Sequence, residues 1–312
     1  MSDPRIVPAT LDVAAVAGRA VSTLARRVRE LRLSRLSGVS DEPAPDRPAT
    51  QLSAHRGGVG ADTASENTRS ALESACRLPC EFVEFDVQRL ADGTLVLFHD
   101  AALVIAGRRV PLDGIDYRTF ARRVPEHLRY DEALVILAGR RKAHIDLKFV
   151  SPPALLARPE STWEVAAART AIAVLGAENL IVTTVEDPSV RALRTWTARE
   201  CPQLLVGLSL GRSTSSLGPV RRLQIRVSEL FPHRRLRACD ANLVVANWIL
   251  ARLTVARYAR RHDVPLLVWT VDGANELRRW IEGRDRAWLV TSNHPLLAAA
   301  VRERTATRLA MP

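Results

Sequence analysis

SAHRGGVGADTASENTRSALESACRLPCEFVEFDVQRLADGTLVLFHD, residues 53–100, sets two histidines and several carboxylates at the ends of short apolar runs. His55 and Arg56 follow Gln51-Leu52-Ser53-Ala54 and precede Gly57-Gly58. Glu66 is expected to open a helix over ENTRSALESAC, and His99-Asp100 close TLVLFHD. Glu84 and Asp86 flank Phe85 in FVEFDV, so a strand there would place both carboxylates on one side. Hard carboxylates beside imidazoles imply metal-assisted acid–base chemistry on a phosphate ester.

Outward from this stretch, short β-rich runs alternate with helical ones. QLSAH, EFVEFDV, TLVLFHD, KAHIDLKF, LIVTTV, LLVGLSL, NLVVANW, PLLVWTV and AWLVTSN read as strands. TWEVAAARTAIAVLG, PSVRALRTWTARE and ANELRRWIEG read as helices between them. Apolar strands separated by helices predict parallel βαβ units. No GxGxxG opens the first helix and no P-loop lysine motif occurs, so a nucleotide-binding doubly wound sheet lacks its signature. The expected fold is α/β, a (β/α)8 TIM barrel with a basic N-terminal helical leader. Nine strand candidates compete for eight places, and Ala91-Asp92-Gly93 resolves the excess as the turn of a hairpin, one arm of which is antiparallel. In such a barrel the C-terminal strand ends converge on one face, and His55, Glu84, Asp86, His99, Asp146 and Trp269 all lie at or near them.

The rest of the chain is less specific. Val21, Leu24, Val28 and Leu31 recur at helical spacing among five arginines, a helix able to lie on an anionic membrane or simply to pack on the domain. Residues 38–50, rich in proline, read as a linker, so the division is 1–50 for leader and linker and 51–312 for the catalytic domain. The 312 residues carry a net charge of +11, which attracts phosphate esters, anionic lipid or nucleic acid. With aromatics at 5%, the stacking platform of a nucleic-acid binder is missing. Four cysteines form no zinc-type pairs and fit a reducing compartment. No run approaches the ~18 apolar residues of a spanning helix. The resulting expectation is a cytoplasmic protein, with peripheral membrane contact through the leader as the other option.

At the quoted residues the chain resembles the glycerophosphodiester phosphodiesterase family, TIM barrels related to phosphatidylinositol-specific phospholipases C. The family pattern is met in order by His55-Arg56-Gly57, Glu66-Asn67-Thr68, Glu84-Phe85-Asp86, Asp92-Gly93 and His99-Asp100. Weaker echoes are His144-Ile145-Asp146-Leu147-Lys148, Trp269-Thr270-Val271 and Thr291 to Pro295. Two departures stand out: Asp146 replaces the family's usual glutamate, and no proline precedes Glu66-Asn67-Thr68. The resemblance covers roughly residues 51–300. It implies His55 and His99 as the acid–base pair, with the assignment of roles open, and an adjacent glycerol hydroxyl attacking first to give a cyclic phosphate.

Beside it, the residues themselves predict a single divalent cation, Mg²⁺ or Ca²⁺, held by Glu66, Glu84, Asp86 and Asp146, because all-oxygen ligation suits hard ions. Arg56 and Lys148 would neutralise phosphate, and Trp269 would wall the site. The expected activity is hydrolysis of a glycerophosphodiester to glycerol 3-phosphate and an alcohol, within lipid metabolism. The alternatives are a lysophospholipase D- or sphingomyelinase D-like lipid phosphodiesterase, and a non-enzymatic binder of phospholipid head-groups or nucleic acid. His127, His144, His233, His262 and His294 have no supporting constellation in the sequence and read as ordinary structural histidines.

Overall fold

The structure, a computed structural model, describes residues 49–211 and 218–309; the expected leader helix and most of the linker lie outside them. Eight parallel strands close on one another: β1 (Gln51–Ala54), β2 (Phe82–Arg89), β6 (Lys142–Leu147), β7 (Leu180–Thr184), β8 (Leu205–Leu210), β9 (Leu243–Asn247), β10 (Leu266–Trp269) and β11 (Leu289–Ser292). Closure is made by β1, which pairs with β11 on one side (Ala54 opposite Ser292) and β2 on the other (Ala54 opposite Val83). The architecture is the TIM barrel the alternation predicts. Its strands read as apolar runs because helices cover one face and the barrel interior the other.

β3 (Leu95–Leu97) folds back antiparallel on β2 through the Asp92-Gly93 turn, as the nine-for-eight excess required. A separate hairpin of β4 (Ala102–Ile105) and β5 (Arg108–Pro111) follows. Leu90, Val96, Leu112, Ile115 and Phe120 give this insertion its own small core, which anchors the loop carrying His99.

Inside the barrel, Phe82, Ile181, Leu243, Leu267 and Leu289 form an apolar cluster. Two residues further along the same strands come Glu84, Thr183, Val245, Trp269 and Thr291, which line a cavity. The period of two thus stacks a plug beneath a site. Outside, helices Trp163–Leu175, Asp187–Glu200 and Ala274–Glu282 stand where expected.

One helix start differs. The first helix runs Arg69–Ala75 and not from Glu66. Thr68 caps it, its hydroxyl accepting from the Ala71 amide at 3.3 Å. Asn67, at φ +61°, breaks any helical continuation back to Glu66.

Candidate active site

A cavity of about 660 Å³ opens at the C-terminal ends of the barrel strands, lined by His55, Arg56, Glu84, Asp86, His99, Asp146, Lys148 and Trp269. Eight of the nine residues singled out in the sequence therefore share one space. The ninth, Glu66, stands behind Arg56, whose Nη1 it binds at 2.7 Å.

The acidic half is built on β1, β2 and β6. Parallel pairing sets Asp86 directly opposite Asp146, and Asp146 opposite Thr183. One oxygen from each of Glu84, Asp86 and Asp146 lies within 4.8 Å of the other two. Arg56 Nε reaches Asp86 at 2.9 Å and its backbone amide donates to Glu84 at 2.8 Å. Arg56 holds this pose from a left-handed backbone, φ +47°, a costly conformation for a non-glycine residue. Lys148 Nζ contacts Asp86 at 2.9 Å and also Asp146.

Burial pushes the Glu84 carboxyl well above its usual range, and the charges of Asp86 and Asp146 push the same way. Burial opposes ionisation of Asp86 too, but Lys148 and Arg56 outweigh it and hold that carboxyl well below the ordinary value. On this side of the cavity the four carboxylates Glu66, Glu84, Asp86 and Asp146 meet two cations among the described residues, Arg56 and Lys148. With Glu84 ionised the excess is two negative charges, which one divalent cation would offset in place of the Glu84 proton, and the oxygen-only donors suit a hard one. The trio of Glu84, Asp86 and Asp146 fits that ion; Glu66, committed to Arg56, stands apart from it.

The two candidate histidines differ in setting. His55 is largely buried, with Nδ1 at 2.7 Å from Asn293 Oδ1 and Nε2 at 3.9 Å from Glu84. Burial, followed by the Arg56 charge, lowers its pKa. His99 is 46% exposed, and its Nδ1 lies 2.9 Å from Asp100.

Five residues outside the predicted site set support it. Asn67 brackets Asp86, donating from Nδ2 to its carboxylate and accepting from its amide, both at 3.0 Å. Thr183 donates to Asp146 at 2.7 Å, and behind it stands His144 at 3.1 Å. Burial drives the His144 pKa down to about 3, so it is a neutral strut beneath the site. Asp272 and Asn293 follow β10 and β11 and flank His55. Their positions just past strand ends are the signal that singled out His55, and it could have found them.

The opposite half of the cavity, from β7 to β11, carries Val185, Ser209, Gly211, Val245, Trp269 and Thr291, with Arg226 as its charged member. Trp269 Nε1 and Thr291 Oγ1 are buried there with no hydrogen-bond partner among the described residues.

The sequence model of the glycerophosphoryl diester phosphodiesterase family matches residues 55–197. No curated protein sequence matches the chain. Among solved structures, the fold is similar to a glycerophosphodiester phosphodiesterase from Parabacteroides distasonis, at 17% identity and TM-score 0.61 over 84% of this chain and 99% of that one. An Oleispira antarctica phosphodiesterase in complex with the product sn-glycerol-3-phosphate gives 17% and 0.58 over 82% and 97%. A glycerophosphodiester phosphodiesterase from Agrobacterium tumefaciens gives 19% and 0.55 over 80% and 99%. The matched residues 55–197 hold both candidate histidines and every acidic group of the cavity, so it is the segment carrying the site that is similar to the glycerophosphoryl diester phosphodiesterase family.

Proposed function

We propose that this protein hydrolyses glycerophosphodiesters to glycerol 3-phosphate and an alcohol with the help of one divalent cation. The observation that carries the reading is the meeting of two histidines, three close carboxylates, Arg56 and Lys148 in one cavity. The product held by the Oleispira antarctica relative supports the same substrate class.

In this mechanism the diester phosphate lies between Arg56 and Lys148, whose charges offset its own. Glu84, Asp86 and Asp146 would hold Mg²⁺ or Ca²⁺, which when bound supplies further charge neutralisation at the phosphoryl oxygens. His55, buried and neutral, takes the proton from the glycerol hydroxyl next to the ester. That oxygen attacks phosphorus as the P–O bond to the alcohol breaks. His99, its Nδ1 held by the Asp100 carboxylate, gives the leaving oxygen its proton. In the second half His99 takes a proton from water, the water oxygen opens the cyclic phosphate, and His55 returns its proton to the glycerol oxygen.

The test is glycerol 3-phosphate release from a panel of glycerophosphodiesters, with Mg²⁺ or Ca²⁺ and then with EDTA. The His55→Ala variant should lose about 10²–10⁴-fold in turnover. Turnover in EDTA, or near-normal turnover in His55→Ala, would refute the scheme. Including lysophosphatidylcholine in the panel tests the lipid-cleaving branch, whose product would be a lysophosphatidic or cyclic phosphate.

A further inference from the structure

Asp272 accepts three hydrogen bonds: from the Ser292 hydroxyl at 3.1 Å, the Asn293 amide at 2.8 Å and the Asn293 side-chain Nδ2 at 2.8 Å. A carboxylate only accepts, so the Asn293 side chain must turn its nitrogen to Asp272. Its Oδ1 then faces His55 Nδ1 at 2.7 Å. A carbonyl oxygen cannot donate, so the shared proton belongs to Nδ1. Nε2, on the cavity side and 3.9 Å from Glu84, is left with the lone pair.

We infer that Asn293 and Asp272 are positioning residues that lock His55 into its Nδ1–H tautomer and aim Nε2 at the substrate. The relay joins three barrel strands: His55 follows β1, Asp272 follows β10 and Asn293 follows β11. It rests on the phosphodiesterase reading for its use but not for its existence. The rival role is plain loop bracing, since these residues also tie the β10 and β11 loops together through Ser292 and the Asn293 backbone.

Asp272→Asn separates the two. The substituted amide can donate as well as accept, so Asn293 is free to rotate and present Nδ2 to His55, which favours the other tautomer. Turnover should fall about a hundredfold or more with KM within a few-fold, as expected when a base enters in the wrong tautomer. Asn293→Ala should match it, and the double variant should be no worse than either single one. ¹⁵N NMR of the His55 ring reads the tautomer directly, with Nδ1 protonated in the wild type and a mixed or Nε2-protonated ring in Asp272→Asn. A wild-type ring protonated at Nε2 would overturn the inference, and that measurement needs no variant to fold. Unchanged turnover in Asp272→Asn, or fully additive losses in the double variant, would overturn it equally. If every phosphodiester proved inert while the tautomer still switched, the relay would stand and the activity would fall.

Discussion

The Asp86 carboxylate has three partners, Arg56, Lys148 and Asn67 Nδ2, and the Asp86 backbone amide donates to the other end of the Asn67 side chain. The cations set its charge, but they sit on long, pliable arms. Asn67, 3% exposed and gripping Asp86 at two points, sets its direction. Asn67→Ala should therefore leave Asp86 ionised yet free to rotate. Loss of such a supporting partner typically weakens metal affinity about 10–100-fold. Calorimetric titration with Mg²⁺ or Ca²⁺ checks this, and affinity equal to the wild type would assign Asn67 to the loop alone. Asp146 shows the same logic where the chain departs from the family it resembles. Its arm is one methylene shorter than the usual glutamate, and the Thr183 hydroxyl reaches it at 2.7 Å.

At the scale of elements, the turn after β1 is held by close packing against the first helix. Gly57 sits at φ +91°, and a Cβ there would come within 2.7 Å of the Ala71 Cβ. Gly57→Ala adds backbone strain of about 1–3 kcal/mol to that clash. His55 and Arg56 share the turn, so activity should fall with stability. Gly139→Ala is the control, because it sits at φ +68° with nothing within 4 Å of the new methyl. Urea unfolding should show the smaller loss at 139, and equal losses would mean that the Ala71 contact yields easily. The strands themselves were legible, since burial on both faces leaves an unbroken apolar run such as LIVTT in β7. The start of the first helix was not, because Thr68 and the left-handed Asn67 outcompete Glu66 through local geometry that composition does not display. The pairing of His55 with Asn293, unlike the strand-end position of each, was hidden for another reason. Asn293 lies 238 positions away, and only barrel closure by β11 against β1 brings it near. Glu66 was read as a ligand from its oxygen donors, and its pairing with Arg56 in the folded chain was not legible in the sequence.

For the whole molecule, the uncompensated negative charge of the cavity links cation binding to stability. Glu84 is buried beside Asp86 and Asp146, so its folded pKa is raised above its unfolded value. Protonation of Glu84 therefore stabilises the fold at low pH, and that contribution is lost as pH rises through the folded pKa. A divalent cation offsets the same charge and competes with the proton. The stabilisation it provides should thus be small in acid and grow as Glu84 ionises. His144 acts with the opposite sign. Its pKa is lowered to about 3, so its effect is loss of stability as pH falls below the unfolded value of 6.5. That loss is shared by loaded and metal-free protein and cancels in their difference. At a cation concentration about a hundredfold above Kd the gain is about 2.7 kcal/mol, worth roughly 5–10 °C in Tm for a chain of this size. Thermal scans with Mg²⁺, with Ca²⁺ and with EDTA across pH 5–8 measure it, with Glu84→Gln and Asp86→Asn as variants. A Tm gain that is independent of pH, or that survives in both variants, would place the ion elsewhere than on Glu84, Asp86 and Asp146.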